Sequence, residues 1–598
     1  VPILAAGTTA SPPCSYGDCS ASVIGGSAPG QREATIISPL RDYLDQPAVF
    51  EVVADDVAAH ALSERERRIL VGAINAHVLT TPDRELTVHV YEPYGDYTPR
   101  TSDDRTFDGR SRLYRHRRFT LTVRGTVTAT PALVSDARQI PLLASDTRHL
   151  MLSTDETARR KPEFVRPGDL RGKVLRRARN AAPLLYDELR DVELLRHRWR
   201  ITRPLKRRDY VEDFRPGGDY EHDRLEVAGP LRPGAPRAVM VGMHWFELGG
   251  AERWAFETVR LVREAGFLPI VLTNRDSHHE WITRDELDGC LLLPLSEPTA
   301  MSQTPGSEQL MRTVLENFDV RGVVVHHSQW LYDRLPFIKA SRPEVPTVDS
   351  THIVEHRRGG FPASSVRSAR YLDVHHVISP ALSRWMTGVQ RIAPERVVMA
   401  PLGGLTVEDT GVDTVRPRDT DRPFTVAFVG RLARQKAPEV FVEAAARARA
   451  QHPDIRFVLH GHGELAPWVH DLVAGAGLED VLERRDDTVP VVETLRAADL
   501  LAITSHNEGL TLTTLEAVAH GIPVVSTDVG AQADLIPAEA LAPRNVHLAV
   551  RRLADLMVRY ARDEGARARL WESERAAERR LLAHPSANEW FEEMVSSW

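Results

Sequence analysis

From residue 237 onward the chain alternates strand-like and helix-like stretches, in two successive runs. No other feature constrains its fold as much. In the first run, residues 238–243 read as a buried strand and 251–265 as an amphipathic helix, with further strand patterns at 267–272, 320–325 and 345–348. The second run has strand patterns at 424–429, 455–459, 500–504 and 523–525, and helix patterns at 439–450 and 508–520. Strands that alternate with helices build parallel sheets covered on both faces. The segment between the runs, 401–423, is rich in Pro, Gly, Asp and Arg and reads as a joint. The expected class is therefore α/β, with two Rossmann-like, doubly wound domains at 237–410 and 411–575. In such sheets ligands bind outside the carboxyl ends of the strands, which places a cleft between the two facing edges.

The first 236 residues have a different character. Residues 1–35 are rich in Ser, Pro, Gly and Ala and read as a mobile tail. Residues 36–155 look like a small α+β module, with helical spacing over 53–77 and strand alternation at 86–91 and 119–123. It carries no chemical motif, so an interaction or oligomerisation role is expected. Residues 156–236 combine a basic, partly helical segment with a Pro/Gly-rich linker at 215–236. Within 159–208 there are 17 Arg and Lys against six acids. Two readings stay open. The segment docks on anionic lipid or a charged glycan acceptor, at about 1 kcal/mol per basic residue near such a surface. Otherwise it is a solvated helix facing acids elsewhere in the chain.

Composition excludes several classes. A net charge of -7 gives no argument for nucleic acid. No run of 18 apolar residues is present, so no transmembrane helix is expected. The opening residues lack a basic region and a long apolar core, and are a poor signal peptide. The three cysteines, Cys14, Cys19 and Cys290, suit a reducing compartment, hence the cytoplasm, with peripheral contact at the inner face of the cell membrane through 159–208. Cys14 and Cys19 have no second pair or histidines beside them, and a metal site is not expected there. Only five lysines occur in the chain, which makes Lys436 at a motif position more informative than usual.

Chemistry-bearing residues gather in the second run. Glu508 and Glu516 stand eight positions apart, with Gly509 allowing a turn and Leu512, Leu515 and Val518 giving a following helix its apolar stripe. On a helix, Glu516 lies about two turns in, roughly 12 Å along the axis from Glu508. Two such acceptors suit the ends of an extended polar ligand, and a phosphate between them meets the free N–H groups of a helix start, including Leu510 and Thr511. Upstream, a buried strand ends at Gly430, followed by Arg431 and Lys436, two cations suited to a charge that grows on a leaving diphosphate. In the first run, Gly249 and Gly250 follow a strand and open a helix, a place where backbone approaches an oxyanion. His352 follows the strand at 345–348, with His326, His327, Glu355 and His356 as nearby competitors. Gly461 and Gly463 form a Gly-x-Gly turn after another strand.

Over residues 237–598 these motifs resemble the retaining nucleotide-sugar glycosyltransferases of the GT-B fold, in family 4 (glycosyl transferases group 1): the Glu-x7-Glu of Glu508 and Glu516, Gly430-Arg431-Leu with Lys436, and Gly249-Gly250-Ala-Glu-Arg. The resemblance implies transfer of a hexose-type sugar from a nucleotide diphosphate sugar to a hydroxyl acceptor. A glycan, lipid-linked or cell-envelope acceptor is favoured, and anionic ones weakly so from the basic segment. It implies that Arg431 and Lys436 hold the diphosphate, with backbone at Gly249, Gly250, Gly430, Gly509, Leu510 and Thr511. Glu516 then takes the ribose, Glu508 and His352 the sugar, and Gly461 the neighbourhood of the base. Residues 576–598 resemble the final helix that crosses back to the first domain. No cofactor and no metal is expected; Asp419-Thr-Asp421 matches a metal-binding Asp-x-Asp but precedes a strand instead of following one. Departures from the family pattern are Ala437 for a glycine, Pro401-Leu-Gly-Gly-Leu405, Gly509-Leu-Thr511 and Gly530-Ala-Gln-Ala-Asp534. They bear on sugar preference more than on the diphosphate site. Two other classes remain: a catalytically silent GT-B scaffold that recruits a partner through 36–155, and a nucleotide-sugar 2-epimerase of the same fold.

Overall fold

The computed structural model describes residues 46–56, 62–92, 116–130, 145–152, 177, 179–190, 196–197, 201–207, 227–247, 249–275, 277, 279–295, 307–356, 358–402 and 412–598. The tail at 1–35, with Cys14 and Cys19, lies outside them, as does most of the basic segment. They build three sheets. The first is four-stranded: β1 (Phe50–Asp55), β2 (Glu85–Glu92), β3 (His116–Gly125) and β4 (Thr147–Met151), in the order β1-β3-β2-β4. The second holds β5 (Arg237–Met243), β6 (Leu268–Thr273), β7 (Leu291–Pro294), β8 (Asp319–His326), β9 (Thr347–Thr351), β10 (Val374–Val377) and β11 (Val397–Met399). Its order is β11-β10-β9-β8-β5-β6-β7. The third holds β12 (Thr425–Val429), β13 (Arg456–His460), β14 (Leu482–Arg485), β15 (Leu500–Ile503), β16 (Val524–Thr527) and β17 (Leu541–Ala542), in the order β14-β13-β12-β15-β16-β17.

Every pairing in the second and third sheets is parallel. Helices cover both faces, so the strands are apolar without alternation: in β5 every residue after Arg237 is buried. This is the two-lobed GT-B arrangement. Both sheets are doubly wound. Strand order runs outward from β5 in one direction and from β8 in the other. The same reversal separates β12 from β15.

The α+β module leans on the outer edge of the first lobe. Its helix, Glu64–Thr80, starts on a reciprocal capping box between Ser63 and Glu66. It lies against β7 and the helix Ser307–Asn317. Arg68 donates to Ile282 O at 3.0 Å and pairs with Asp288 at 2.6 Å. Helical spacing read from Val53 fails at its start. Phe50 and Val52 point inward while Glu51 and Val53 face out, the period of a strand, and the helix begins only after Ser63.

The chain ends on the helix Ala587–Ser596, which packs on Gly250–Glu264 of the first lobe. Phe591 meets Trp254 edge-on at 6.1 Å, and Arg237 donates to Trp598 O at 2.9 Å. Among the described residues no helix is long and apolar enough to cross a membrane.

Candidate functional site

The third sheet opens a crevice where its winding reverses, between the carboxyl ends of β12 and β15. Both strands deliver chemistry there. After β12 come Gly430, Arg431 and Lys436; after β15 come Ser505 and Glu508. Lys436 Nζ donates to Glu508 Oε1 at 2.7 Å, and Ser505 Oγ donates to the same oxygen at 2.5 Å. The Glu508 side chain is 6% exposed and that of Lys436 25%. The loop is laced in place: Gln435 Nε2 donates to Asn507 O at 3.1 Å and His506 N to Gln435 O at 2.9 Å. Oε1 of Glu508 is thus committed, while Oε2 has no protein donor among the described residues and remains available to a ligand hydroxyl.

Arg431 is exposed at the same rim. Gly461 packs face to face on Gly430, and a Cβ there would overlap the Gly430 carbonyl oxygen. The helix after Glu508 is shorter than its spacing suggests. It runs Leu512–Ala519 with Thr511 as its cap, so Glu508 sits in the turn before it, not on its first turn. Gly509, in that turn, has its backbone threaded against the first lobe: a Cβ there would overlap His352 O. Thr511 Oγ1 is buried and makes no hydrogen bond, and it faces the helix start with Leu510 beside it. Burial raises the Glu516 carboxyl, opposed by the His520 and Arg253 charges. Arg253 belongs to the first lobe, so Glu516 and the Gly249–Gly250 loop are near one another across the cleft. Gly250 itself faces Leu512.

The first lobe reverses its winding between β5 and β8, and aromatic rings fill that point. His244 follows β5 and His327 follows β8. His327 holds a left-handed φ of 53°, uncommon for a residue with a Cβ. Its ring stacks on Phe361 at 4.7 Å and meets His352 edge-on at 4.8 Å. Burial lowers His327 to about 4 and His244 to about 3, and holds His352 and His326 well below the usual range. These imidazoles are therefore neutral at physiological pH. His244 Nδ1 and His327 Nε2 are buried without a hydrogen-bond partner. His352 Nε2 lies 3.2 Å from Ser350 Oγ, which also meets His376 Nδ1 at 2.8 Å. Glu252 folds back over Gly249; burial raises its carboxyl, against hydrogen bonds to its own backbone and Trp245 and the Arg431 charge.

The residues singled out from sequence thus fall on two facing crevices. Lys436, Glu508, Arg431, Gly430 and Gly461 ring one. His352, Gly249 and Gly250 line the other, with Gly509, Leu510, Thr511 and Glu516 between. The lobes touch there directly: Asn507 Nδ2 donates to Val354 O at 2.9 Å. Sequence reading missed His244, Phe361, Glu252 and Ser505, and it left His327 among the competitors. The signal for His244 and His327 was their position immediately after apolar strands.

Other candidates sit elsewhere. Asp419 and Asp421 precede β12 at its amino end, where Asp421 N donates to Asp419 Oδ1 at 3.0 Å. Among the described residues no cluster of His, Cys, Asp and Glu is arranged to hold a metal ion. Cys290 is buried, and burial pushes its thiol up to about 12, so it is not a nucleophile.

Comparison with known proteins fits this geometry. Residues 423–562 match the family model described as Glycosyl transferases group 1. A D-inositol 3-phosphate glycosyltransferase of Stackebrandtia nassauensis is 27% identical over 348 residues, which cover 50% of this chain and 78% of that protein. One from Thermobispora bispora is 30% identical over 235 residues, 35% of this chain and 55% of its own length, so the match spans about half of that relative. The crystal structure of the Anabaena protein HepE in complex with UDP is 17% identical, with a TM-score of 0.48, over 60% of this chain and 100% of its own. Through the lobe built on β12 to β17, the chain is thus similar to the glycosyl transferases group 1.

Proposed function

We propose that the enzyme moves a hexose-type sugar from a nucleotide diphosphate sugar to a hydroxyl acceptor, with retention of the anomeric configuration and without a metal ion. The observation that carries this reading is the Lys436–Glu508 pair at the β12/β15 crevice, with exposed Arg431 at the same rim. Arg431 and Lys436 would hold the diphosphate, Glu516 the ribose hydroxyls, and Glu508 Oε2 a hydroxyl of the sugar.

In this scheme the bond from the anomeric carbon to the β-phosphate oxygen breaks, and the oxygen keeps the electron pair. The acceptor oxygen bonds to the anomeric carbon on the same face, and its proton passes to the departing phosphate. The two cations balance charge that grows on the diphosphate, and preplaced donors are most effective against charge that develops in the transition state. The neutral imidazole of His352 and the carboxylate of Glu508 position the sugar; placement of reacting groups supplies much of such a rate. The relatives, named as D-inositol 3-phosphate glycosyltransferases, support a hydroxyl as the nucleophile.

The test is a panel of nucleotide diphosphate sugars, with nucleoside diphosphate release and the product's anomeric configuration followed by NMR. Turnover should persist in excess EDTA. An inverted product would overturn retention. Loss of turnover in EDTA with recovery on Mn²⁺ would return attention to Asp419 and Asp421.

A further inference from the structure

The cleft is not closed by the two lobes alone. A piece of the basic segment, which precedes both, rests on each of them. On the second lobe, the Arg179 guanidinium lies 4.9 Å over the Trp468 ring and Tyr186 meets the same indole edge-on at 6.5 Å. Glu188 stands 3.3 Å from His547. On the first lobe, Trp385 Nε1 donates to Ile201 O at 2.8 Å. The Gln390 carboxamide accepts from Leu205 N at 2.8 Å and donates to Arg203 O at 3.0 Å. Arg207 donates to Val366 O and Gln390 O at 2.5 and 2.6 Å.

Between these two anchors, His197, Ile201 and Thr202 wall a cavity of about 400 Å³ whose other sides come from both lobes and which reaches His352 and Glu508. That volume is in the range of small-molecule sites. Its polar side chains are largely occupied within the protein. Ser379 Oγ caps Leu382 N at 3.3 Å, Asn507 is bonded to Val354 O, and His506 Nε2 stands 3.2 Å from Glu439. Each arginine in its lining has an acid beside it: Arg384 with Asp534 at 2.7 Å and Arg544 with Asp528 at 3.9 Å. Apart from His352 and Glu508 at its inner end, what the cavity offers a ligand is therefore Ile201, Val354, Leu382, Trp385, Val389 and Val529. A phosphorylated guest would need an uncommitted cation there, whereas an apolar guest only displaces water.

We propose that this cavity seats the apolar body of the acceptor, an alkyl or aryl compound that bears the attacking hydroxyl, and that Ile201 and Trp385 set the size it accepts. The proposal rests on the glycosyltransferase reading for the identity of the guest as acceptor. It departs from the anionic acceptor that the basic segment suggested, because that segment presents its apolar Ile201 to the cavity.

The test uses the full chain with octyl β-D-glucoside, 4-nitrophenyl β-D-glucoside, D-glucose and D-glucose 6-phosphate as probes, and binding measured by calorimetry. At least one of the alkyl and aryl glucosides should bind, and D-glucose and its phosphate at least tenfold more weakly. Ile201→Trp should weaken the bound glucoside at least tenfold and leave nucleoside diphosphate binding unchanged, which also reports that the variant is folded. Val389→Trp, from the first lobe itself, should do the same. The proposal is overturned if neither glucoside binds wild type, if D-glucose 6-phosphate binds as well as they do, or if both variants bind them like wild type. Failure of the glycosyltransferase reading would look different: glucoside binding as described, but no nucleoside diphosphate released from any donor.

Discussion

Lys436 and Glu508, 72 positions apart in sequence, meet at 2.7 Å across the gap between β12 and β15. The lysine thereby has two tasks. It neutralises a carboxylate that is 6% exposed, and it stands ready for a diphosphate at the same rim. Ser505 holds the carboxylate from the other side, so the pair is set before any ligand arrives.

Removal of Lys436 should therefore affect folding and catalysis together. Lys436→Ala leaves Glu508 with one donor in a buried place, at a cost of about 1–3 kcal/mol for an unsatisfied polar group. It should also lower kcat/KM by roughly 10²–10³-fold, the scale of one lost transition-state donor. Thermal melting and donor turnover check the two effects. Melting and turnover both close to wild type would end the assignment.

Arg431 should separate those effects. Its side chain is exposed and makes no hydrogen bond or ion pair among the described residues. Arg431→Ala should keep the wild-type melting temperature and lose roughly 10²–10³-fold in kcat/KM. A drop in stability without a drop in turnover would assign Arg431 to structure instead.

Gly509→Ala tests how closely the lobes approach. The added methyl would overlap the His352 carbonyl oxygen. The lobes would be pushed apart at the point where the sugar is handled, with a loss of roughly 10²-fold in kcat, the scale of a misplacement near 1 Å. Nucleoside diphosphate affinity should persist, because the added methyl faces His352 of the first lobe and not Arg431 or Lys436. Unchanged kcat would mean that the contact opens freely during turnover.

Ala437 stands where the family motif has glycine, and its backbone is left-handed, with φ 48° and ψ 57°. An L-residue there is strained by about 1–2 kcal/mol. Glycine removes the strain and adds about 0.5–1 kcal/mol of unfolded-state freedom. Ala437→Gly should thus stabilise the chain by about 0.5–1 kcal/mol, visible as a higher urea midpoint. A lower midpoint would show that the buried methyl outweighs the strain.

The histidines at the first lobe's crevice should make stability depend on pH. Their ordinary value is 6.5, and burial lowers His244 to about 3 and His327 and His376 to about 4. Between about 6.5 and 4 the unfolded chain binds more protons than the folded one, so stability is full above that window and falls as pH drops through it. Each group contributes at most about 1.4 kcal/mol per pH unit. His327→Gln should flatten the slope of urea midpoint against pH between 6.5 and 4.5. An identical slope in wild type and variant would mean that His327 takes up its proton without unfolding.

Much of this architecture is legible in the sequence because parallel sheets buried on both faces need continuous apolar runs. The runs at 238–243, 424–429 and 500–504 correspond to β5, β12 and β15, with ends shifted by a residue or so. Shorter or mixed strands escaped: β14 carries Glu483, Arg484 and Arg485, and β10 carries two histidines. Their strand identity comes from hydrogen bonds to neighbours, which no local pattern displays. Residues 57–61, between β1 and the first helix, lie outside the described part, and the helical spacing over 53–77 concealed that β1 occupies its start.

For the site, local motifs named Arg431, Lys436, Glu508, Glu516 and His352, because a strand that ends in glycine followed by cations, or a turn followed by an acid and a helix, is chemistry written along the chain. The sequence alone thus determined the two doubly wound lobes and the residue types at their strand ends. Only the tertiary structure decided that Lys436 pairs with Glu508, that His327 is wedged between Phe361 and His352, and that Ile201 walls the cleft. Those relations join residues tens to hundreds of positions apart, and their strength depends on burial and distance, which arise only when separate elements pack.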